Sequence, residues 1–109
     1  MCIRDSSNTG PCVDVYAPGE DVMSAWLGAQ NVVKSLSGTS MATPHVTGIL
    51  AYAMANTTLA RDPGLMKDWI KATALRGLVK GKPVEGDQML LANNGVPGVY
   101  GVAGSALAW

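Results

Sequence analysis

Gly38-Thr39-Ser40-Met41-Ala42-Thr43-Pro44-His45-Val46-Thr47-Gly48 is the stretch that decides how this chain is read. The β-rich run from Val32 to Leu36 leads into it, Ser37, Gly38 and Thr39 break that run, and from Ser40 the apolar residues change to helical spacing. Val46, Ile49, Leu50, Ala53 and Met54 fall on one face. Pro44 lacks an amide donor, which costs little in a first helical turn, so its position predicts a helix beginning close to Ser40. Ser40 therefore stands on a sharp strand-to-helix turn, where its side chain projects and backbone amides converge on one point.

Such a turn suits a nucleophile. A serine hydroxyl needs a base to take its proton, and amides at a helix N-terminus can hold an oxyanion as it forms. Taken alone, the same pattern also describes a plain N-cap serine. The one histidine separates the possible chemistries. No histidine follows Asp62, Asp68, Glu85 or Asp87, so a chain order of Ser, acid, His is excluded here. His45, five residues after Ser40, points about 140° around a helix from it and is poorly placed as its base. It reads as a buried histidine hydrogen-bonded to backbone. An order of Asp, His, Ser would put both partners upstream of Ser40.

Outward from this turn, Val22 to Leu27 and Val32 to Leu36 are strand-like and are separated by Gly28-Ala29-Gln30-Asn31, which predicts an antiparallel hairpin. Cys12-Val13-Asp14-Val15-Tyr16 alternates and ends in Ala17-Pro18-Gly19, which predicts a further short strand with Asp14 on the face opposite Val13 and Val15. Downstream, Asp62 as N-cap and Pro63 at the first helical position open a second helix. Met66, Trp69, Ile70 and Thr73 are its packing residues, Gly77 is its C-cap, and it should lie against the first helix. Lys80-Gly81-Lys82-Pro83 reads as a turn and Met89-Leu90-Leu91 as a short buried element. Together these predict an α/β chain with a strand, a β-hairpin and two main helices.

Composition narrows the function. Eight basic and eight acidic side chains cancel and are scattered, leaving no basic stripe for nucleic acid. The longest apolar stretch, Val46 to Ala55, is broken by Thr47 and Gly48 and is far short of the ~20 residues of a membrane span. Polar Arg4 to Asn8 stand where a signal peptide would carry its apolar core. Met-Cys-Ile-Arg-Asp-Ser is the in-frame translation of ATGTGTATAAGAGACAG, which looks like a transposase adapter, so residues 1–6 read as an artefact. Setting Cys2 aside with them leaves Cys12, as a buried free thiol or as half of a disulfide whose partner lies elsewhere. Asn56-Thr57-Thr58 is a glycosylation sequon at the expected end of the first helix and is consistent with secretion.

The eleven residues from Gly38 to Gly48 resemble the serine signature of the subtilisin-like peptidases. Val13-Asp14-Val15-Tyr16-Ala17-Pro18-Gly19, Val22 to Gly28 and the segment Asp87 to Asn94 resemble the proteinase K and fungal vacuolar and alkaline protease branch, so the likeness runs from about Asn8 to Asn94. It implies that residues 7–94 are the C-terminal part of a peptidase domain with a three-layer α/β fold and a mostly parallel sheet, followed by a glycine-rich tail, 95–109. It further implies a serine endopeptidase in which Ser40 is the acylating nucleophile and its backbone amide one oxyanion donor. The catalytic Asp and His and an oxyanion asparagine are then expected upstream, so the chain by itself is expected to be inactive. A non-catalytic pseudopeptidase of the same fold is the alternative.

By the same resemblance Leu36, Ser37, Gly38 and Met41 line the substrate cleft, and oxidation of Met41 would slow turnover. Met41 also reads as a core residue. Asp14 matches a calcium-ligating carboxylate, which implies a structural calcium ion; no cofactor is expected for catalysis. Without the resemblance, Asp14 reads as a solvated or turn-capping aspartate. Protein or peptide substrates, a monomeric state for the complete protein, and an extracellular or vacuolar location are the remaining implications.

Overall fold

The computed structural model describes residues 7–81 and 84–96. The readings of residues 1–6, of Lys82-Pro83 and of the tail beyond Val96 lie outside the described residues. Two strands form where the alternation predicts them. β1 (Val22–Ala25) pairs antiparallel with β2 (Val33–Leu36), Val22 opposite Leu36 and Ala25 opposite Val33. Both are shorter than the apolar runs that signal them. Gly28 (φ 118°) and Asn31 (φ 62°) take the positive φ that the reversal needs, and the Trp26 amide closes the loop by donating to the Val32 carbonyl at 2.9 Å. Lys34 sits 4.5 Å from the centroid of the Trp26 ring, a contact worth about 0.5–1 kcal/mol at an exposed site.

The predicted strand at residues 12–16 is not observed. Only Tyr16 makes a ladder contact, a single parallel bridge to Leu91. Its amide donates to the Leu90 carbonyl at 2.7 Å and its carbonyl accepts from the Ala92 amide at 2.8 Å. The neighbours of Tyr16 have no strand beside them among the described residues, so the alternation alone forms no ladder.

Among the described residues three helices follow. α1 (Thr39–Ala53) begins at the turn the sequence indicates, with Gly38 as N-cap. Val46, Ile49 and Leu50 are half-buried and Ala53 buried, whereas Met54, expected on the same face, lies just past the helix and is exposed. Pro44 falls beyond the first turn, not within it: its missing amide would have bonded the Ser40 carbonyl four residues back. The short α2 (Thr57–Arg61) was not anticipated. Asn56 caps it, its Oδ1 accepting from the Thr58 amide at 3.0 Å and from the Leu59 amide at 3.5 Å. α3 (Pro63–Thr73) opens as the sequence indicates, with Asp62 Oδ1 accepting from the Leu65 amide at 3.0 Å. Its buried residue is Ile70, and it touches α1. Gly77 is not its cap: the helix stops at Ala74, whose extended ψ of 146° turns the chain into a bridge between Leu75 and Leu91.

The core gathers on the segment around Leu90, which is 1% exposed and the most deeply buried large side chain described. Leu91 pairs on one side with Tyr16 and on the other with Leu75, whose amide and carbonyl exchange bonds with it at 2.8 and 2.9 Å. Tyr16, Ala53, Ile70, Ala74 and Val79 complete the apolar cluster. Truncating Leu90 to alanine is expected to cost about 2–5 kcal/mol.

Asp87 fastens the chain's early residues to this segment. Its Oδ2 accepts from the Gly10 amide at 3.0 Å and from the Tyr16 hydroxyl, and its Oδ1 accepts from the Met89 amide at 2.9 Å. Burial, reinforced by the bond to Asp87 and by its charge, pushes the Tyr16 hydroxyl up to about 12. Burial acts to raise Asp87, but the bonds donated by Tyr16, Gly10 and Met89 outweigh it and hold the carboxyl below its usual range. A phenol raised on folding stabilises fully below its unfolded value near 10 and loses that contribution as the pH climbs towards about 12. A carboxyl lowered on folding contributes fully above its unfolded value, about 4, and loses that contribution as the pH falls through the folded one. The pair's contribution is thus whole between about pH 4 and 10. Asp87→Asn is expected to cost about 1–3 kcal/mol and to flatten the acid limb of a thermal midpoint plotted against pH. Tyr16→Phe should flatten the alkaline limb.

Candidate active site

Ser40 is the second residue of α1, not its N-cap, and it is exposed. Gly38 takes the cap position with φ 157° and ψ 167°, an extended conformation reached readily only without a Cβ, and no side chain caps the helix. Its carbonyl accepts from the Met41 amide at 3.0 Å and the Ala42 amide at 3.3 Å. The amides of Thr39 and Ser40 are left with no acceptor among the described residues, as expected of the first donors of a helix. Two N–H groups with the positive end of the α1 dipole behind them therefore lie beside a hydroxyl that is itself without a partner among the described residues. The arrangement can stabilise negative charge forming on an atom next to Ser40 Oγ.

The turn is held from behind by the Ala17-Pro18-Gly19 loop. The Gly38 amide donates to the Gly19 carbonyl at 2.7 Å. The approach is so close that a Cβ on Gly19 would lie 2.7 Å from the Gly38 carbonyl oxygen and 3.2 Å from Ala42 Cβ. The Ser37 hydroxyl accepts from the Asp21 amide at 2.9 Å and faces the Asp21 carboxylate at 3.4 Å, tying the end of β2 to the entry of β1. Sequence reasoning missed both ties. The glycine in Ala17-Pro18-Gly19 was a signal of close backbone approach as well as of a turn.

His45 is exposed, not buried. Its Nδ1 lies 2.9 Å from the Met41 carbonyl oxygen, one turn back on the same helix, so the backbone bond is present but faces solvent. Thr43 and Thr47 likewise donate to the carbonyls of Thr39 and Thr43 at 3.0 and 3.1 Å, and this exposed face of α1 satisfies its hydroxyls internally.

Of the expected cleft residues, Ser37 and Gly38 border an open cavity of about 580 Å³ whose wall also includes Asp14, Gly19, Ala42 and Val46. Leu36, Met41 and Ser40 are not part of that wall, so the cavity lies behind the serine turn, between the 13–19 segment and α1. Met41 is half-buried. Cys12 is a free, exposed thiol.

Asp14 faces α3. Its Oδ2 lies 3.0 Å from Lys67 Nζ and its Oδ1 lies 3.5 Å from Lys71 Nζ, the two lysines being one turn apart on the same helix face. Calcium requires six to eight oxygen ligands. Among the described residues no three His, Cys, Asp or Glu side chains gather, and the one candidate carboxylate is already engaged by two ammonium groups, which an ion would have to displace. No described helix is long and apolar enough to cross a membrane.

Comparison with known proteins places this geometry in context. Residues 2–103 match the profile described as Subtilase family. Alkaline protease 1 of Aspergillus flavus is 45% identical over 89 residues, covering 82% of this chain and 21% of that protein. Subtilase-type proteinase psp3 of Schizosaccharomyces pombe is 41% identical over 93 residues, covering 84% and 21%. The cuticle-degrading serine protease of Arthrobotrys oligospora is 40% identical over 93 residues, covering 85% and 22%. The chain thus spans about a fifth of the length of these curated relatives.

Proposed function

This chain belongs to the subtilase family, and from that membership we propose that it carries the nucleophile, Ser40, of a serine endopeptidase. The observation that carries the reading is the exposed Ser40 hydroxyl on the first turn of α1, beside the amides of Thr39 and Ser40, which have no acceptor among the described residues. In the complete protein a histidine base, oriented by an aspartate, takes the Ser40 proton as Oγ attacks the scissile carbonyl carbon. The Ser40 amide, with an asparagine side chain from elsewhere in the protein, holds the oxyanion of the tetrahedral intermediate. Collapse expels the amine, and water then hydrolyses the acyl-enzyme. Leu36, Ser37, Gly38 and Met41 border the cleft in this reading, and substrates are proteins or peptides.

The β2–turn–α1 unit and its hairpin form one part of a three-layer α/β domain with a mostly parallel sheet. Exposed apolar side chains support this: Leu27 is 85% exposed and Met23 73%, as surfaces that further strands and helices would cover. The chain alone lacks the base and the second oxyanion donor and should not hydrolyse peptide bonds. In this reading the complete enzyme is monomeric, and relatives named as alkaline and cuticle-degrading proteases support an extracellular or vacuolar location.

A fluorophosphonate probe applied to the full-length protein tests the reading. Covalent modification of Ser40, found by peptide mass spectrometry, supports a competent peptidase. A folded protein whose Ser40 stays unlabelled is a pseudopeptidase of the same fold.

Asp14 gives a metal-removal test of the calcium proposal. A thermal midpoint of the full-length protein that chelator leaves unmoved assigns Asp14 to its ion pairs with Lys67 and Lys71 alone. A midpoint that falls on chelation, and no longer does so in Asp14→Asn, assigns a calcium ion to Asp14 instead.

A further inference from the structure

Asn56 is the one asparagine of the sequence followed two residues later by serine or threonine, with Thr57 rather than proline between them. It lies in the turn between α1 and α2, and Asn56, Thr57 and Thr58 are all exposed. We infer that Asn56 is an N-glycosylation site whose glycan the folded chain accommodates without losing a structural contact. This rests on the secretory route proposed above.

The capping geometry carries the argument. Both bonds that Asn56 makes to the start of α2 are accepted by Oδ1, from the amides of Thr58 and Leu59. Its Nδ2 has no partner among the described residues. Glycosylation uses Nδ2: it attacks the anomeric carbon of an oligosaccharide carried on a polyprenyl pyrophosphate, a C–N bond forms, the C–O bond to the pyrophosphate breaks, Nδ2 loses one proton and the polyprenyl pyrophosphate leaves. The carbonyl oxygen survives as an acceptor in the product, so α2 keeps its cap.

Capping accounts for the asparagine but not for Thr58, a weak helix former at an exposed helical position whose hydroxyl has no partner among the described residues. The sequon requires that hydroxyl. The site also stands clear of the chemistry: Asn56 follows the C-terminal end of α1 while Ser40 is at its N-terminal end, about 20 Å away along the helix axis. A glycan there leaves the cleft open.

The experiment expresses the full-length protein in yeast behind an appended secretion signal and compares its mobility before and after peptide-N-glycosidase. Wild type and Thr58→Ser are expected to lose one glycan more on treatment than Asn56→Gln and Thr58→Ala. Thr58→Ala leaves the capping bonds in place because they use backbone amides, so it separates loss of the glycan from loss of the fold. Fluorophosphonate labelling of Ser40, run in parallel, is expected to be the same with and without the glycan and reports the peptidase reading independently. Recovery of the Asn56 peptide wholly unmodified from folded, secreted protein overturns the inference.

Discussion

Replacing Ser40 by alanine in the full-length protein is expected to abolish fluorophosphonate labelling and to lower kcat by several orders of magnitude while leaving the thermal midpoint nearly unchanged. The size follows from covalent catalysis: without Oγ no acyl-enzyme forms, and the rest of the triad has nothing to activate. Subtilisins are themselves the worked case for this loss, on the order of 10⁶-fold in kcat, so the scale is theirs and is not deduced from this chain. The small stability effect does follow from the structure. The Ser40 side chain is exposed and makes no bond among the described residues, and Gly38, not Ser40, caps α1. A peptidase activity that survived Ser40→Ala would remove this serine from the mechanism.

Gly19→Ala is expected to be the most damaging change that touches no reacting atom. A Cβ there would lie 2.7 Å from the Gly38 carbonyl oxygen, a backbone atom that cannot rotate away, and 3.2 Å from Ala42 Cβ. The Gly38 carbonyl accepts the amides of Met41 and Ala42, and the Gly38 amide is bonded to Gly19 itself. Moving one residue therefore moves the whole turn that presents Ser40 and its amides. A displacement of about 1 Å in a catalytic constellation can cost about 10²-fold in rate. The loss should show in kcat and in the rate of fluorophosphonate labelling, since the turn positions the nucleophile. A folded Gly19→Ala protein with unchanged kcat would show that this contact is packing only.

Much of the local architecture was legible in the residues. The hairpin, the start of α1 at the serine turn, the Asp62-Pro63 opening of α3 and the burial of the Leu90 segment are each governed by neighbours in sequence: turn residues, caps and apolar spacing. The errors share a cause. The alternation at 12–16 predicted a strand, but a ladder needs a partner, and only Tyr16 has one. Gly77 looked like a helix cap, but the pairing of Leu75 with Leu91 ended α3 earlier. His45 was expected to be buried, but five residues from the serine it falls on a face of α1 that faces solvent.

The sequence by itself determined the turn on which Ser40 stands, because an eleven-residue run dictates its own spacing and break from strand to helix, and the resemblance carried by that run agrees with the family match. The tertiary structure decided what the carboxylates do. Asp87 binds Tyr16 and Gly10 across 71 and 77 residues of chain, and Asp14 meets Lys67 and Lys71 on a distant helix. In sequence a carboxylate reads alike whether it is solvated, capping a turn, holding an ion or paired with a lysine. Only the path of the chain, set by the burial of Leu90 and the bridges of Leu91, brings one of those partners within reach.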